Sequence, residues 1–502
     1  MDTEKGTAQH ADRQRKDSVR DGDVTDASVP DSELEWSEEE ERALRRKLDW
    51  HMVPLITLLY MLCFLDRINI GNARIQGMGD DVGLNEGVRF NWALSMFYIV
   101  YLMVEIPSNI LLKKYGGRYY LPFLVCGFGL ISLATAFVQN FAGLMVLRAL
   151  LGIFEGGAFP GLAFFLSCFY KRNELLFRMG IYVSAASIAG AFGGLLAAGL
   201  SKIPRWGAPG APIHTWRNIF FFEGLITIIV GLLAPIWMPQ SPTEAKFLTP
   251  RERRIAAERL NREHKADPKE GVTWKDIKRA ILCIHNYTCA FGFFLINITV
   301  QGLSVFLPSI LKDLGWTDTQ AQLYSVPPYV AACLVAIAIA YASDKTHQRG
   351  IWLASFACLA IVGFGILRWA EAPNIRYMAV YFVTVGAFPG GPGFLSWAMN
   401  NSAGPSVRAV TSAYVVTLGT IGGIVATWTY IPMYHGPRYY AGHTINFAGQ
   451  IGVLILALFG IFYCRWENKA RAAGKRDHRL EGLTQEEQEA LGSRHPNYRY
   501  WI

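Results

Sequence analysis

Twelve apolar runs constrain what this sequence can fold into more than any other feature. They fall at about 51–70, 91–112, 120–138, 142–168, 176–200, 217–237, 283–310, 323–343, 351–369, 377–399, 410–433 and 444–464. A helix crossing the hydrocarbon core of a bilayer needs roughly 20 predominantly apolar residues, so twelve of them take about 240, near half the chain. Only 18% of the 502 residues are charged, where a soluble domain carries about 25%. The spacing predicts an all-α membrane protein of twelve transmembrane helices, grouped as six, a gap and six. The expected divisions are a tail over 1–49, a six-helix half over 50–237, a linker over 238–280, a second six-helix half over 281–466 and a tail over 467–502.

Charge places the ends. The first 49 residues hold 15 acidic and 9 basic side chains and almost no aromatics, a composition that buries too little apolar surface to offset its ordering entropy. A disordered acidic cytoplasmic tail is the expectation there. With the N-terminus inside, the inner loops and the flanks of the first and last spans hold 29 Lys or Arg against 7 in the outer loops, and positive charge marks the cytoplasmic side. Both termini are expected in the cytoplasm. The net charge of +8 is accounted for by this topology, so no nucleic-acid partner is expected. The eight cysteines lie in or beside apolar runs without CxxC spacing, which supports neither a disulfide framework nor a zinc site; no cofactor and no metal are expected.

The two halves repeat. Gly157-Ala158-Phe159-Pro160-Gly161 in the fourth run recurs as Gly386-Ala387-Phe388-Pro389-Gly390 in the tenth, an offset of 229 residues. The loop Lys113 to Arg118 after run two has a counterpart in Asp344 to Arg349 after run eight. Two six-span halves in parallel repeat resemble the architecture of the major facilitator superfamily, where the substrate site lies near the midplane between the halves.

Five charged residues fall inside apolar runs: Asp66, Arg67, Glu105, Arg148 and Glu155. Each costs about 2.5–3.5 kcal/mol to insert at a helix centre, so each needs a partner, a wet cavity or a function. A purely structural cluster is the competing reading, above all for Glu105 and Arg148. Asp66 and Arg67 are adjacent and point about 100° apart on a helix, so one can face the central cavity while the other faces helices of its own half. Arg148 and Glu155 share a helix face about 10.5 Å apart, too far for a direct ion pair. Asp66 is expected between them, pairing with Arg148 when ionised and releasing it when protonated, as a proton carrier must. Offsetting by the repeat brings Asp66 near Asn297, Arg148 near Tyr377 and Glu155 near Thr384, so proton handling is expected in the first half. Polar neutral residues of the second half, including Asn297, Gln301, Ser396, Asn400 and Asn401, are suited to hydrogen-bonding a substrate, with helix packing as the alternative for each.

At these residues the chain resembles the anion:cation symporter family of the major facilitator superfamily, most closely its fungal allantoate permease branch, over about residues 45–470. The resemblance is carried by Phe64-Leu65-Asp66-Arg67-Ile68-Asn69, by Glu105-Ile106-Pro107-Ser108-Asn109, and by Arg148 through Gly152 to Glu155-Gly156 with Phe159-Pro160-Gly161. Ser184-Ala185-Ala186 with Gly190, Gly193 and Gly194, Trp216-Arg217 with Phe222-Glu223-Gly224, and Ser241-Pro242 extend it. That family moves small organic anions, chiefly carboxylates, with protons. The resemblance implies Asp66 and Glu155 as proton-coupling carboxylates, Arg148 as the partner linking them, Arg67 as the substrate-carboxylate arginine and Tyr101 as a binding-site tyrosine. Two positions depart from the pattern: Lys113 stands where the superfamily loop carries Asp, and Thr420 where Asn is frequent in span eleven.

The leading expectation is a monomeric, proton-coupled importer of a small organic anion in a fungal plasma membrane, with the bilayer as its surroundings. A secondary-metabolite exporter or facilitator, and a nutrient sensor using the long N-terminal tail, are alternatives on the same fold. An enzyme is not expected, because no GxSxG, HExxH or paired Cys/His arrangement occurs.

Overall fold

The computed structural model describes residues 36–208, 211–265, 273–346, 348–403, 405–431 and 439–482, together with 484, 488 and 491–502. Residues 1–35 of the expected tail lie outside the described residues. Among the described residues twelve helical spans are long and apolar enough to cross a membrane, one for each apolar run. In the first half they are α1 (Glu38–Ala73), α2 (Arg89–Tyr115), α3 (Gly117–Thr135), α4 and α5 in series (Phe141–Glu155 and Ala158–Ser167), α6 (Arg172–Leu200) and α7 (Trp216–Trp237). The linker carries α8 (Pro250–Lys265) and α9 (Trp274–Ile281). The second half follows with α10 (Ile284–Asp313), α11 (Asp318–Thr346), α12 (Arg349–Trp369), α13 and α14 in series (Pro373–Ala387 and Gly390–Asn400), α15 (Pro405–Thr427) and α16 (Tyr440–Ala472). A short antiparallel hairpin between α6 and α7 pairs Trp206 with Ile213. Large apolar side chains such as Ile106, Leu232, Ile236, Leu334 and Phe462 stand exposed on the outer faces of the helices. A patch of that size needs an apolar surrounding, and the bilayer supplies it.

The repeated pentapeptide sits where the fourth and tenth spans break. The first helix of each pair ends at Glu155 or Ala387 and the second begins at Ala158 or Gly390, because Pro160 and Pro389 cannot donate to the preceding turn. The glycines serve close approach: a Cβ at Gly156 would run into the Tyr101 backbone of α2, and one at Gly386 into Phe356 and Ala360 of α12.

Two expectations about the ends are corrected. Residues 38–49 are helical rather than disordered. The Ser37 hydroxyl accepts from the Glu40 amide at 3.2 Å while the Glu40 carboxylate accepts from the Ser37 amide at 3.1 Å, a capping box that starts α1. Leu44, Leu48 and Met52, four residues apart, are buried on one face, and Lys171 and Arg178 of the α6 region pair with Glu41 and Asp49. The high charge density masked this apolar stripe. At the other end, residues 491–502 are no free tail. Asn401, capping α14, brackets Trp501, donating to its carbonyl at 3.0 Å and accepting from its amide at 2.8 Å. Asn468 of α16 does the same for Tyr500, at 2.9 Å each way.

The halves meet at the end of the molecule remote from the termini. Ser95 of α2 hydrogen-bonds Thr427 of α15 at 2.7 Å, Asn91 donates to the Thr427 carbonyl, and Gln76 donates to Gln322 of α11 at 3.0 Å. Gly71 of α1 packs directly on the Val305 carbonyl of α10, and Gly190 and Gly194 of α6 admit Tyr329 and Gln322 of α11. Among the described residues, the hydrogen bonds between halves all lie between this end and Tyr98–Gln301 near the middle, at 2.9 Å. Between the helices, on the side toward the termini, lies a cavity.

Candidate central transport site

The cavity has a volume of about 130 Å³ and is lined from both halves. α1 contributes Arg67, α2 contributes Tyr98 and Tyr101, and α10 contributes Asn297 and Gln301. Its walls are mostly aromatic and small: Tyr60, Phe64 and Phe159 on one side face Phe293 and Phe388 on the other, with Ser184 and Ser187 of α6 and Thr420 of α15 between them.

Among the described residues, Arg67 is the only charged side chain on this lining. Its Nη2 and Nε donate to one oxygen of Glu155, at 2.9 and 3.3 Å, and the Cys63 thiol donates to the same oxygen at 3.4 Å. Glu155 is 0% exposed and its other oxygen, Oε1, has no hydrogen-bond partner among the described residues. The guanidinium packs over the rings of Phe97 and Tyr101, 5.1 and 5.3 Å from their centroids. Aromatic faces hold a desolvated cation in place, so Arg67 is fixed at the cavity wall with Glu155 behind it.

Asp66 points the other way. It is 1% exposed, and Oδ1 accepts from the Ser132 hydroxyl of α3 at 2.9 Å while Oδ2 has no partner. The division between a cavity-facing and an inward-facing residue agrees with the 100° turn between neighbours, Arg67 taking the cavity. The expected link through Arg148 takes a different form. Arg148 is 3% exposed and, among the described residues, makes no ion pair within 4.0 Å; it lies within electrostatic reach of both Glu155 and Asp66. The residue that bridges to Glu155 is Arg67, because α1 passes α4 with its cavity face turned toward Glu155. Glu105 is buried on α2 off the cavity, and its carbonyl accepts from Asn109 at 3.0 Å.

Of the second-half candidates, Asn297 and Gln301 line the cavity. Asn297 donates to the Gly419 carbonyl at 2.8 Å, and Gln301 accepts from the Tyr98 hydroxyl, so a polar chain crosses from α2 to α10 and α15. Ser396 and Asn400 are off the cavity lining. Asn400 lies at the terminus end, where its carbonyl accepts from the Tyr498 hydroxyl at 3.0 Å. Asn401 holds the C-terminal segment. Ser396 and Asn400 lie on the last turns of α14 and Asn401 caps it, their neighbour Leu395 taking the cavity wall. The counterparts of Arg148 and Glu155 are satisfied locally: Thr384 donates to the Val380 carbonyl and Tyr377 to that of Tyr324. The second half is not free of buried charge, however, since Arg376 and the Glu467–Arg471 pair are buried there.

Sequence reasoning missed Tyr98, Ser184 and Ser187 as lining residues. Tyr98 lies one turn before Tyr101, a spacing that puts both on one helix face, and this could have found it. It also passed over Glu223 of α7, buried and bonded to Asn69, which was visible only as part of a motif.

Comparison with known proteins bears on the whole assembly. Residues 56–427 match the family described as Major Facilitator Superfamily. An uncharacterized transporter of Schizosaccharomyces pombe is 34% identical over 435 residues, 86% of this chain and 88% of that one. The high-affinity nicotinic acid transporter of Saccharomyces cerevisiae is 30% identical over 465 residues, 92% of this chain and 85% of that one. Among solved structures, the xylose transporter XylE of E. coli in a partially occluded inward open conformation superposes with a TM-score of 0.61 at 14% identity, over 82% of this chain and 96% of that one.

Proposed function

This chain belongs to the major facilitator superfamily and is a membrane transporter rather than an enzyme, and on that premise we propose that it carries a small organic anion together with protons by alternating access. The observation that carries the reading is the buried Arg67–Glu155 ion pair at the wall of the central cavity. With Glu155 ionised, Arg67 is committed to it. A proton arriving at the free Oε1 removes the charge that holds the guanidinium, and Arg67 becomes available to a substrate carboxylate, which its planar fork matches in two parallel hydrogen bonds. Substrate and proton then neutralise the pair together, so neither the loaded nor the empty carrier moves an unpaired charge through the bilayer interior. Asp66, inward of Arg67 and within reach of Arg148, is the second proton carrier in this scheme.

The aromatic walls favour an acid with a compact apolar or aromatic body, and Tyr101, Asn297 and Gln301 supply its polar contacts. The name of the nicotinic acid transporter among the relatives is in keeping with that class. Within the superfamily we assign the chain to the anion:cation symporters of the allantoate permease type, acting as a monomeric importer in a plasma membrane with both termini in the cytoplasm. The halves meet at the opposite end, so in this reading the cavity lies on the cytoplasmic side of that contact. The test is uptake into proteoliposomes by the purified protein under an imposed proton gradient, over a panel of radiolabelled carboxylic acids and matched neutral amides. Accumulation of an acid that collapses when the proton gradient is dissipated supports the proposal. Gradient-independent equilibration of an acid supports the facilitator alternative, and transport of the amides alone rejects the anion class.

A further inference from the structure

Behind Asp66, away from the central cavity, buried polar side chains of α1, α3 and α7 form a second cluster. Glu223 of α7 is 3% exposed, Asn69 of α1 0%, Thr227 of α7 1% and Ser132 of α3 3%. Asn69 lies one turn beyond Asp66 on α1, and its amide donates to Oε2 of Glu223. Glu223 and Asp66 lie within electrostatic reach of each other. The titratable and charged groups facing the cluster are Asp66 from α1 and, past it, Arg148 and Glu155 from α4; α3 brings only the Ser132 hydroxyl.

The hydrogen-bond accounting in this cluster does not close with both carboxylates ionised. Among the described residues, four buried oxygens here have no hydrogen-bond partner: Asp66 Oδ2, Asn69 Oδ1, Glu223 Oε1 and Thr227 Oγ1. Three of them can only accept unless a proton is added, and the single hydroxyl among them can donate to one. Glu223 has a neutral amide as its hydrogen-bond partner and no cation in an ion pair with it among the described residues. An ionised, unpaired carboxylate in the interior of a spanning bundle carries a penalty of several kcal/mol, and two neighbouring carboxylates cannot both ionise at that depth.

We propose that Glu223 is a proton-holding site of the first half: with Asn69 as its partner it keeps a proton in the cluster between α1, α3 and α7. While Glu223 is neutral, Asp66 can gain and lose its own proton without meeting a like charge. Glu223 is therefore a positioning residue for the titration of Asp66, and the ligand of this site is the proton. The consequence for transport rests on the proposed proton coupling, but the presence of the proton does not.

Infrared difference spectroscopy on the purified protein in lipid tests the site directly. At neutral pH the wild type should show a protonated-carboxyl carbonyl band that shifts on deuteration. Glu223→Gln, which retains an acceptor for Asn69, should lose it, and Asp66→Asn should retain it. Glu223→Asp is the second variant; it should fold with the acid in place and move the band rather than remove it. A wild type without such a band, or a band that survives Glu223→Gln unchanged, overturns the proposal. So does a rise in melting temperature on adding sodium that is present in the wild type and absent in Glu223→Gln, because the unpartnered oxygens would then be cation ligands. In proteoliposomes Glu223→Gln should shift the pH dependence of uptake. If the wild type accumulates no substrate with protons while the band is still assigned to Glu223, the transport reading fails and the proton site stands.

Discussion

Arg67 and Glu155, 88 residues apart in the chain, meet at 2.9 Å with the guanidinium on the cavity wall and the carboxylate behind it. In the proposed cycle their pairing makes the arginine's availability conditional on the charge of the glutamate. The consequences can be measured separately.

Arg67→Lys keeps the charge and loses the fork. A lysine ammonium is a point donor that cannot bind a carboxylate in two parallel bonds while stacked on Phe97 and Tyr101. Loss of one charge-assisted hydrogen bond is worth about 1.5–3 kcal/mol, which is roughly 10- to 100-fold in apparent affinity. Uptake kinetics should show that rise in KM. Wild-type kinetics in the lysine variant would remove Arg67 from the substrate site.

Asp66→Asn and Glu155→Gln fix each carboxyl near its protonated shape. Accumulation driven by a proton gradient should fail in both, while exchange of labelled for unlabelled substrate, which needs no net proton movement, survives in at least one. Asn297→Ala is the control: it should weaken affinity and leave the pH dependence of uptake unchanged. Accumulation with intact pH dependence in both carboxyl variants would move the proton to Glu105.

Arg148 has no ion pair among the described residues, yet attracts both carboxylates. Arg148→Met should therefore leave surface expression normal and stop or uncouple uptake. Loss of folded protein from the membrane would instead make Arg148 a structural residue.

Asn401→Ala removes both side-chain bonds to Trp501 and leaves its backbone groups without those partners. The Trp501 amide loses its acceptor while its carbonyl keeps the Trp397 indole as donor, a loss of about 1–3 kcal/mol that loosens the last residues of a segment held also by Trp397, Asn468 and Arg471. Carboxypeptidase digestion followed by mass spectrometry should show the C-terminus trimmed in the variant and protected in the wild type.

Much of this protein was determined by its sequence alone. The twelve spans and their division into halves follow from the length and hydropathy of the apolar runs, because in lipid the backbone must satisfy itself within each segment. The repeated pentapeptide marked corresponding breaks, and the cost of inserting charge singled out Asp66, Arg67, Glu105, Arg148 and Glu155 before any contact was known, Glu105 among them although it lies off the cavity. The helical turn between Asp66 and Arg67 required them to face different ways. Tertiary structure alone decided which way: how α1 is rotated against α4 makes Arg67 the partner of Glu155, and no spacing within one helix fixes the rotation of another. The same packing set Ser396 and Asn400 off the cavity, joined Glu223 to Asn69 across 154 residues, and folded the C-terminal residues onto α14 and α16. Pairings between distant helices depend on the whole bundle's packing, and that information is not local to any stretch of sequence.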